Sequence, residues 1–209
     1  MTQEAQQAEN TEEKIRQGAK RLFTERGYNG TKIRDVAEEA GVNIALLNYY
    51  VRSKELLYES IVIENFREYI GILANVLNKP NLSLEERIRQ YSAQMIDTLK
   101  VNPDLAFFVM NEGRNNSGFC KRFMAEHDQI MFHSKMAEQL QSEIEAGTIR
   151  PIDMFMLDTL LHSQIIMPFV NLPIWRQMDH TRDIDFDVFL EKLKQIAPDV
   201  IMAYLRSKP

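Results

Sequence analysis

Apolar residues recur at helical spacing along most of this chain, and no stretch alternates convincingly between apolar and polar over a strand's length. Ile15, Ala19, Leu22 and Phe23 share one face of a predicted first helix, and Gly27 follows where that helix should end. Thr31 is placed to cap a second helix whose inward side is Ile33, Val36, Ala37 and Ala40. Gly41 supplies a turn, Asn43 caps a third helix from Ile44, and Ser53 caps a fourth beginning at Lys54. Three short helices, the last two joined by a tight glycine turn, predict a helix-turn-helix. Further helices are predicted at about 54–77, 83–100, 103–111, 119–146, 152–167 and 186–206, with breaks at residues 78–81, Asn102-Pro103, Gly147 and 168–182. The expected fold is all-α: a disordered tail over 1–10, a helix-turn-helix domain over 11–58 and a larger helical domain over 59–209. The fourth helix runs unbroken across the second boundary, so movement in the body can reach the head mechanically.

The composition, 44% apolar and 26% charged with only eight glycines and seven prolines, is that of a globular helical chain. The net charge of -5 argues against a protein that coats nucleic acid through its overall charge, but the distribution is uneven. Residues 14–54 hold nine cations and four acids, a local +5, while the first 13 residues and everything after residue 54 are acidic. Cys120 is the single cysteine, and the first ten residues lack the basic and apolar segments of a secretion signal. No apolar run approaches the roughly 20 residues that a spanning helix needs. A cytoplasmic protein with no membrane partner is expected.

The third helix carries more chemistry than packing requires. In "NIALLNYYVRSK" the inward residues are Leu47 and Val51, which leaves Asn43, Ile44, Ala45, Leu46, Asn48, Tyr49, Tyr50 and Lys54 at least partly free. Asparagine can read adenine with two hydrogen bonds, apolar side chains can touch thymine methyls, and tyrosine hydroxyls and lysine can hold phosphates. A recognition helix in the major groove uses this set, whereas core-edge aromatics and a solvated basic face are the plainer reading of each residue alone.

Over residues 13–58 the chain resembles the tetracycline-repressor (TetR) family of bacterial transcriptional regulators, most clearly in "LFTERGYNGTKIRDVA" and in "AGV", four residues, then "LNYYVRSKELL". The resemblance implies a ligand-responsive DNA-binding regulator, a repressor that binds a palindromic operator in double-stranded DNA as a homodimer. It also implies that Thr31, Tyr49, Tyr50 and Lys54 meet phosphates and that Asn43, Ile44, Ala45, Leu46 and Asn48 lie near the bases, and Lys32 is a further DNA-binding candidate. The sequence departs from the family pattern at Ala45-Leu46, at Asn48 and at Val51.

For the body the resemblance implies only a helical ligand-binding and dimerisation domain. All but one of the eleven methionines and all but one of the eleven phenylalanines lie after residue 60, which suits a cavity for an apolar or aromatic molecule or, equally, a methionine-filled core. The candidate ligand-binding residues are Tyr91, Met95, Phe107, Met110, Asn111, Phe123, His127, Met131, Phe155, Asp158 and His162, with Glu112 and Gln164 as further polar candidates. Asp158 and His162, four apart, share a helix face and can orient each other or a ligand. Phe186, Leu190, Leu193, Ala197, Val200 and Tyr204 form an apolar stripe for a dimer seam or for packing within the monomer, and Pro198 should kink or split their helix.

No phosphate loop, nucleophile elbow or zinc-protease spacing is present, so no enzyme and no cofactor are expected. Cys120, His127 and His133 share no helical face at ligand distance, so no metal site is expected either. A helical small-molecule-binding or protein-interaction module that does not bind DNA remains open on the residues alone.

Overall fold

Residues 3–115, 123, 134–181 and 183–207 are described by the computed structural model, with side chains from residue 8 onward. The expected apolar face forms on α1 (Gln3–Gly30), and Ile15, Ala19, Leu22 and Phe23 are all buried in the head's core. Helix α1 begins at Gln3, so the segment expected to be a disordered tail is helical from that point. Gly27 adopts φ 67°, the left-handed region that costs glycine least, and breaks the shaft from a final turn. Helices α2 (Ile33–Glu39) and α3 (Ile44–Tyr50) follow, with Gly41 at φ 66° turning the chain between them. The Asn43 carboxamide oxygen caps α3 by accepting from the Leu46 N–H at 2.8 Å. Val36, Ala37, Ala40 and Leu47 complete the head core, while Ile33 packs at its edge.

Thr31 corrects the cap assignment. Lys32 holds the N-cap position of α2, and its N–H donates to Asp35. The Thr31 side chain is 0% exposed, and its hydroxyl reaches the carbonyls of Leu22 at 3.1 Å and Gly27 at 3.0 Å. It ties the start of α2 to the broken end of α1 through two α1 carbonyls.

Helix α4 (Lys54–Leu77) starts where Ser53 accepts from the Leu56 N–H. Ile61 belongs to the head core, and Val62 and eight further residues toward Leu77 belong to a second core or its edge. That second core is built on α5 (Leu84–Val101), which packs against α4, α7 (Lys135–Glu145), α8 (Met154–Trp175) and α9 (Phe186–Arg206). Helix α6 (Leu105–Asn115) touches α1, α4 and α8.

Three boundaries differ from expectation. The helix predicted from residue 119 to 146 is interrupted at Ser134, which is extended and whose buried hydroxyl caps α7 by accepting from Ala137. Helix α8 runs through Pro168 and Pro173, and α9 through Pro198, without splitting. Each proline forfeits one N–H bond but keeps a helical φ, and Pro168 and Pro198 are buried, so tertiary packing offsets the loss. The stripe predicted on α9 also divides. Phe186, Leu190, Leu193 and Ala197 pack into the monomer, and Val200 and Tyr204 are exposed together with Val188 and Ile196.

Head and body meet along α1 and α4. The Asn65 amide donates to the Thr24 hydroxyl at 2.8 Å between buried side chains. Arg16 pairs with Glu13 and Glu64, and Lys20 reaches Glu64 at 3.0 Å and Glu68 at 2.6 Å. Burial pushes the Glu64 carboxyl up, but hydrogen bonds from Arg16 and Lys20 outweigh it and hold the group below its ordinary 4.5. A carboxylate depressed in the folded state contributes stability above its unfolded pKa and loses it as pH falls through the folded one. Glu64→Gln should therefore cost about 0.5–1 kcal/mol in urea unfolding at neutral pH, and the gap to the parent should close as the medium is acidified below about pH 4. Thr31→Val, which removes one buried donor while keeping shape, should lower stability by about 1 kcal/mol. The same urea titration checks it, and no loss would mean the hydroxyl's two carbonyl contacts are dispensable.

Candidate functional site

Helix α3 is seven residues long and buries one side chain, Leu47, so its remaining side chains are available to whatever the head meets. Asn43, Ile44, Ala45, Leu46, Asn48 and Tyr49 are all exposed, Tyr49 at 82%. Tyr50 is half-buried against the head core, and its ring sits edge-on to Tyr49 at 5.2 Å. The amide of Asn48 has neither a cap to make nor a core to fill. Asn43 spends its oxygen on the cap and keeps its NH2 donors.

The cations of the head divide into two groups. Arg16 and Lys20 are tied to carboxylates along the α1–α4 junction, Arg21 pairs with Glu39, and Arg26 lies 3.5 Å from Glu25. Much of the local positive charge is thus neutralised within the fold. Lys32, Arg34 and Arg52 are exposed, and among the described residues none of the three has an ion-pair partner. Lys32 and Arg34 open α2, and Arg52 follows α3 by two residues, so these three flank the outward face of the helix-turn-helix. Arg34 and Arg52 entered the sequence reading only as charge. Their functional signal is the contrast with the paired cations, which needs the tertiary structure.

One expected phosphate contact is corrected, and a second has a structural task as well. The Thr31 side chain is enclosed and already bonded. Lys54 is half-buried, its Nζ donating to the Tyr28 carbonyl at 2.6 Å and lying 3.9 Å from the centre of the Tyr28 ring. Its first task is to fasten the start of α4 to the end of α1, and Glu55 adds a hydrogen bond from the Tyr28 hydroxyl. Two N–H donors of the ammonium remain.

Just beyond, Tyr58 joins the two cores. Its ring lies edge-on to Phe23 at 5.0 Å, Tyr28 at 5.1 Å and Phe108 at 6.2 Å, and its hydroxyl donates to Glu112 at 2.6 Å. Burial first, and then Glu112, push the phenol up, so it remains the donor.

In the body, three helices bring polar groups to one place. Asp158 and His162 on α8 pair as their spacing predicts, with Nδ1 at 2.9 Å from Asp158 Oδ1 and 3.0 Å from the Asp158 carbonyl. Both neighbours are acceptors, so Nδ1 carries the proton. In the neutral ring Nε2 then accepts from the Tyr91 hydroxyl of α5 at 2.9 Å. Tyr69 of α4 stacks on the imidazole, 26° from parallel.

The other expected ligand residues do not gather there as a set. Met95 is fully buried in the core, and Phe123 packs on Phe66 at 5.3 Å. Phe107, Met110, Asn111 and Phe155 are exposed. The inward face of α6 is Leu105, Ala106, Phe108 and Glu112, which turns Phe107, Met110 and Asn111 outward. On α8 the inward row is Leu157, Leu161 and Ile165, and Phe155 stands off it. His127, Met131 and the spaced trio Cys120, His127 and His133 lie outside the described residues. No described helix is long and apolar enough to cross a membrane.

Residues 15–61 match the sequence profile of "Bacterial regulatory proteins, tetR family". The chain is 27% identical over 166 residues to the "Probable HTH-type transcriptional regulator YttP" of Bacillus subtilis, covering 78% of each. It is 36% identical over 73 residues to the "Biofilm operon icaADBC HTH-type negative transcriptional regulator IcaR" of Staphylococcus aureus, covering 35% of this chain and 39% of that one. Among solved structures, HlyIIR, a hemolysin II transcriptional regulator, superposes with TM-score 0.60 at 23% identity, over 96% of this chain and 99% of the other. A TetR family transcription regulator from Marinobacter aquaeolei VT8 gives TM-score 0.63 at 15% identity, over 93% and 97%. At such identities the structural likeness concerns the fold, a helix-turn-helix head on a larger helical body. Residues 15–61 thus form a domain of the tetR regulatory family by sequence, and the chain as a whole shares its fold with solved regulators of that family.

Proposed function

We propose that this chain is a transcriptional repressor that binds a palindromic DNA operator as a homodimer and is released when a small molecule with an apolar or aromatic skeleton enters the body. The observation that carries the reading is the outward face of α3, five exposed side chains and the exposed cap Asn43 on a helix that buries only Leu47, within the segment that matches the family profile. Asn48 is the residue free to read adenine through two hydrogen bonds, and Ile44, Ala45 and Leu46 offer apolar contact to thymine methyls. Tyr49, Lys32, Arg34 and Arg52 supply phosphate contacts, and Lys54 adds the donors that its bond to Tyr28 leaves over.

A single recognition helix covers only a few base pairs, so two copies related by a twofold axis read two half-sites. The exposed apolar residues Met167 and Ile174 on α8 with Val188, Ile196 and Val200 on α9 supply the face for the second copy, a different row from the stripe read in the sequence. The domain division follows the two cores, with α4 common to both. A ligand that repositions α6 or α8 acts on α4 and hence on the spacing of the two heads. A tenfold loss of operator affinity needs a preference of about 1.4 kcal/mol for the released state.

Genomic fragments captured by the purified protein near physiological salt should be enriched in a short palindrome. Absence of any enrichment from folded, dimeric protein would favour a module that does not bind DNA. On an enriched fragment, Arg52→Ala should reduce the magnitude of the salt slope by about 0.9, as one phosphate contact is lost. An unchanged slope would remove Arg52 from the interface. The double substitution Ile196→Asp with Val200→Asp should give a folded monomer in analytical ultracentrifugation and abolish tight binding, and a persisting dimer would place the interface elsewhere.

A further inference from the structure

The polar groups gathered in the body suit one kind of visitor. Tyr69, Tyr91 and the Asp158–His162 pair come from α4, α5 and α8 into a core that is otherwise apolar. Their hydrogen bonds form a chain in one direction: Tyr91 donates to His162, and His162 donates to Asp158. What remains unspent is mostly acceptors, namely the second carboxylate oxygen of Asp158 and the lone pairs of both phenols. Tyr69 is only 8% exposed, and its hydroxyl has no hydrogen-bond partner among the described residues. Unlike the sealed, unpartnered side-chain oxygen of Asn65, the Tyr69 hydroxyl is not closed off, so it faces accessible space at the edge of the cluster and is free to meet a ligand. Asp158's charge lies close enough to push the Tyr69 phenol up, after burial itself. The Asp158 and His162 side chains are each 19% exposed, so the cluster is open at its rim.

The charge inventory fixes the sign. The cluster's one carboxylate is Asp158, its imidazole already donates to that carboxylate through Nδ1, and Arg87 is the only buried cation among the described residues. Arg87 is occupied by the carbonyls of Val76, Leu77 and Lys79 at the end of α4. Nothing described in this interior offers a positive charge to an anion. A carboxylate, phenol oxygens and the faces of aromatic rings together stabilise a positive charge.

We propose that this cluster is a binding site for a protonated amine carried on an apolar or aromatic skeleton, with Asp158 as its counter-ion and the Tyr69 and Tyr91 oxygens and rings around it. The site's role as the effector site rests on the repressor reading above, but its chemistry does not.

A matched series of phenylbutylamine, phenylbutanol and phenylbutyrate, titrated by calorimetry into the full-length protein without DNA, tests the sign directly. The amine should bind about tenfold or more tightly than the carboxylate, the difference that one charge-assisted hydrogen bond supplies. Asp158→Asn should remove that preference. Tyr69→Phe, which deletes a single oxygen and leaves the packing intact, should weaken the amine about threefold or more and leave the alcohol nearly unchanged. Equal or tighter binding of the carboxylate, no binding of the amine, or amine affinity untouched in both folded variants would overturn the site. If Asp158→Asn fails to fold, Tyr69→Phe alone decides. Amine binding that leaves a complex with an enriched genomic fragment intact would support the site and separate it from repression.

Discussion

Helix α4 is shared by two hydrophobic cores, and the rest of the molecule depends on that sharing. Ile61 is sealed into the head and its neighbour Val62 into the body, while Tyr58 packs against both. Adjacent residues on a helix point about 100° apart, so one straight element can serve two cores on different sides of itself. Close-packed interiors deform little, and a shift of α4 relative to one core therefore strains its contacts with the other. Lys54 and Glu55 then grip Tyr28 at the end of α1, and only residues 51–53 separate α4 from α3. The helix that packs the body is thereby fastened to the helix that faces outward.

Electrostatics distribute the head's cations between two tasks. Along the α1–α4 seam, Arg16 and Lys20 face Glu64 and Glu68, and the pairs hold the head in one orientation on the body. On the outward face, Lys32, Arg34 and Arg52 have no such partners among the described residues. Unpaired charges on an exposed surface act at a distance through solvent and are screened by salt, whereas the seam pairs act at contact. The local excess of positive charge in the sequence is thus larger than the basic surface it produces.

The body holds its polar groups under a different constraint. Polar side chains in an apolar core must find partners, and Tyr91, His162 and Asp158 do so in sequence across two helices. Asn65 with Thr24 and Tyr58 with Glu112 follow the same rule at the head–body contact. Tyr69 is the exception among the aromatics of this cluster, stacked on His162 with its hydroxyl unanswered.

The local features of this protein were legible in the sequence because local rules set them. The apolar rows of the head, the caps at Asn43 and Ser53, the turn at Gly41 and the Asp158–His162 pair depend on spacing within a turn or two of helix, and the structure has them where the spacing places them. The outward face of α3 was equally readable, since a short helix with one buried residue leaves the others free. Contacts between segments decided the rest. Thr31 is a good cap by residue type, yet the carbonyls of Leu22 and Gly27 in α1 claim its hydroxyl. Lys54 is a cation by type and a fastener by position, because Tyr28 lies beneath it. Prolines 168, 173 and 198 signal breaks in any local reading, but burial and neighbouring helices keep α8 and α9 continuous. Which apolar row of α9 faces inward, and whether Phe107, Met110 and Phe155 point into the body or away from it, depends on the rotation of each helix against its neighbours. Hydrophobic spacing identifies a face, but only packing chooses its partner, because a row of apolar side chains gains from burial against any surface that excludes water.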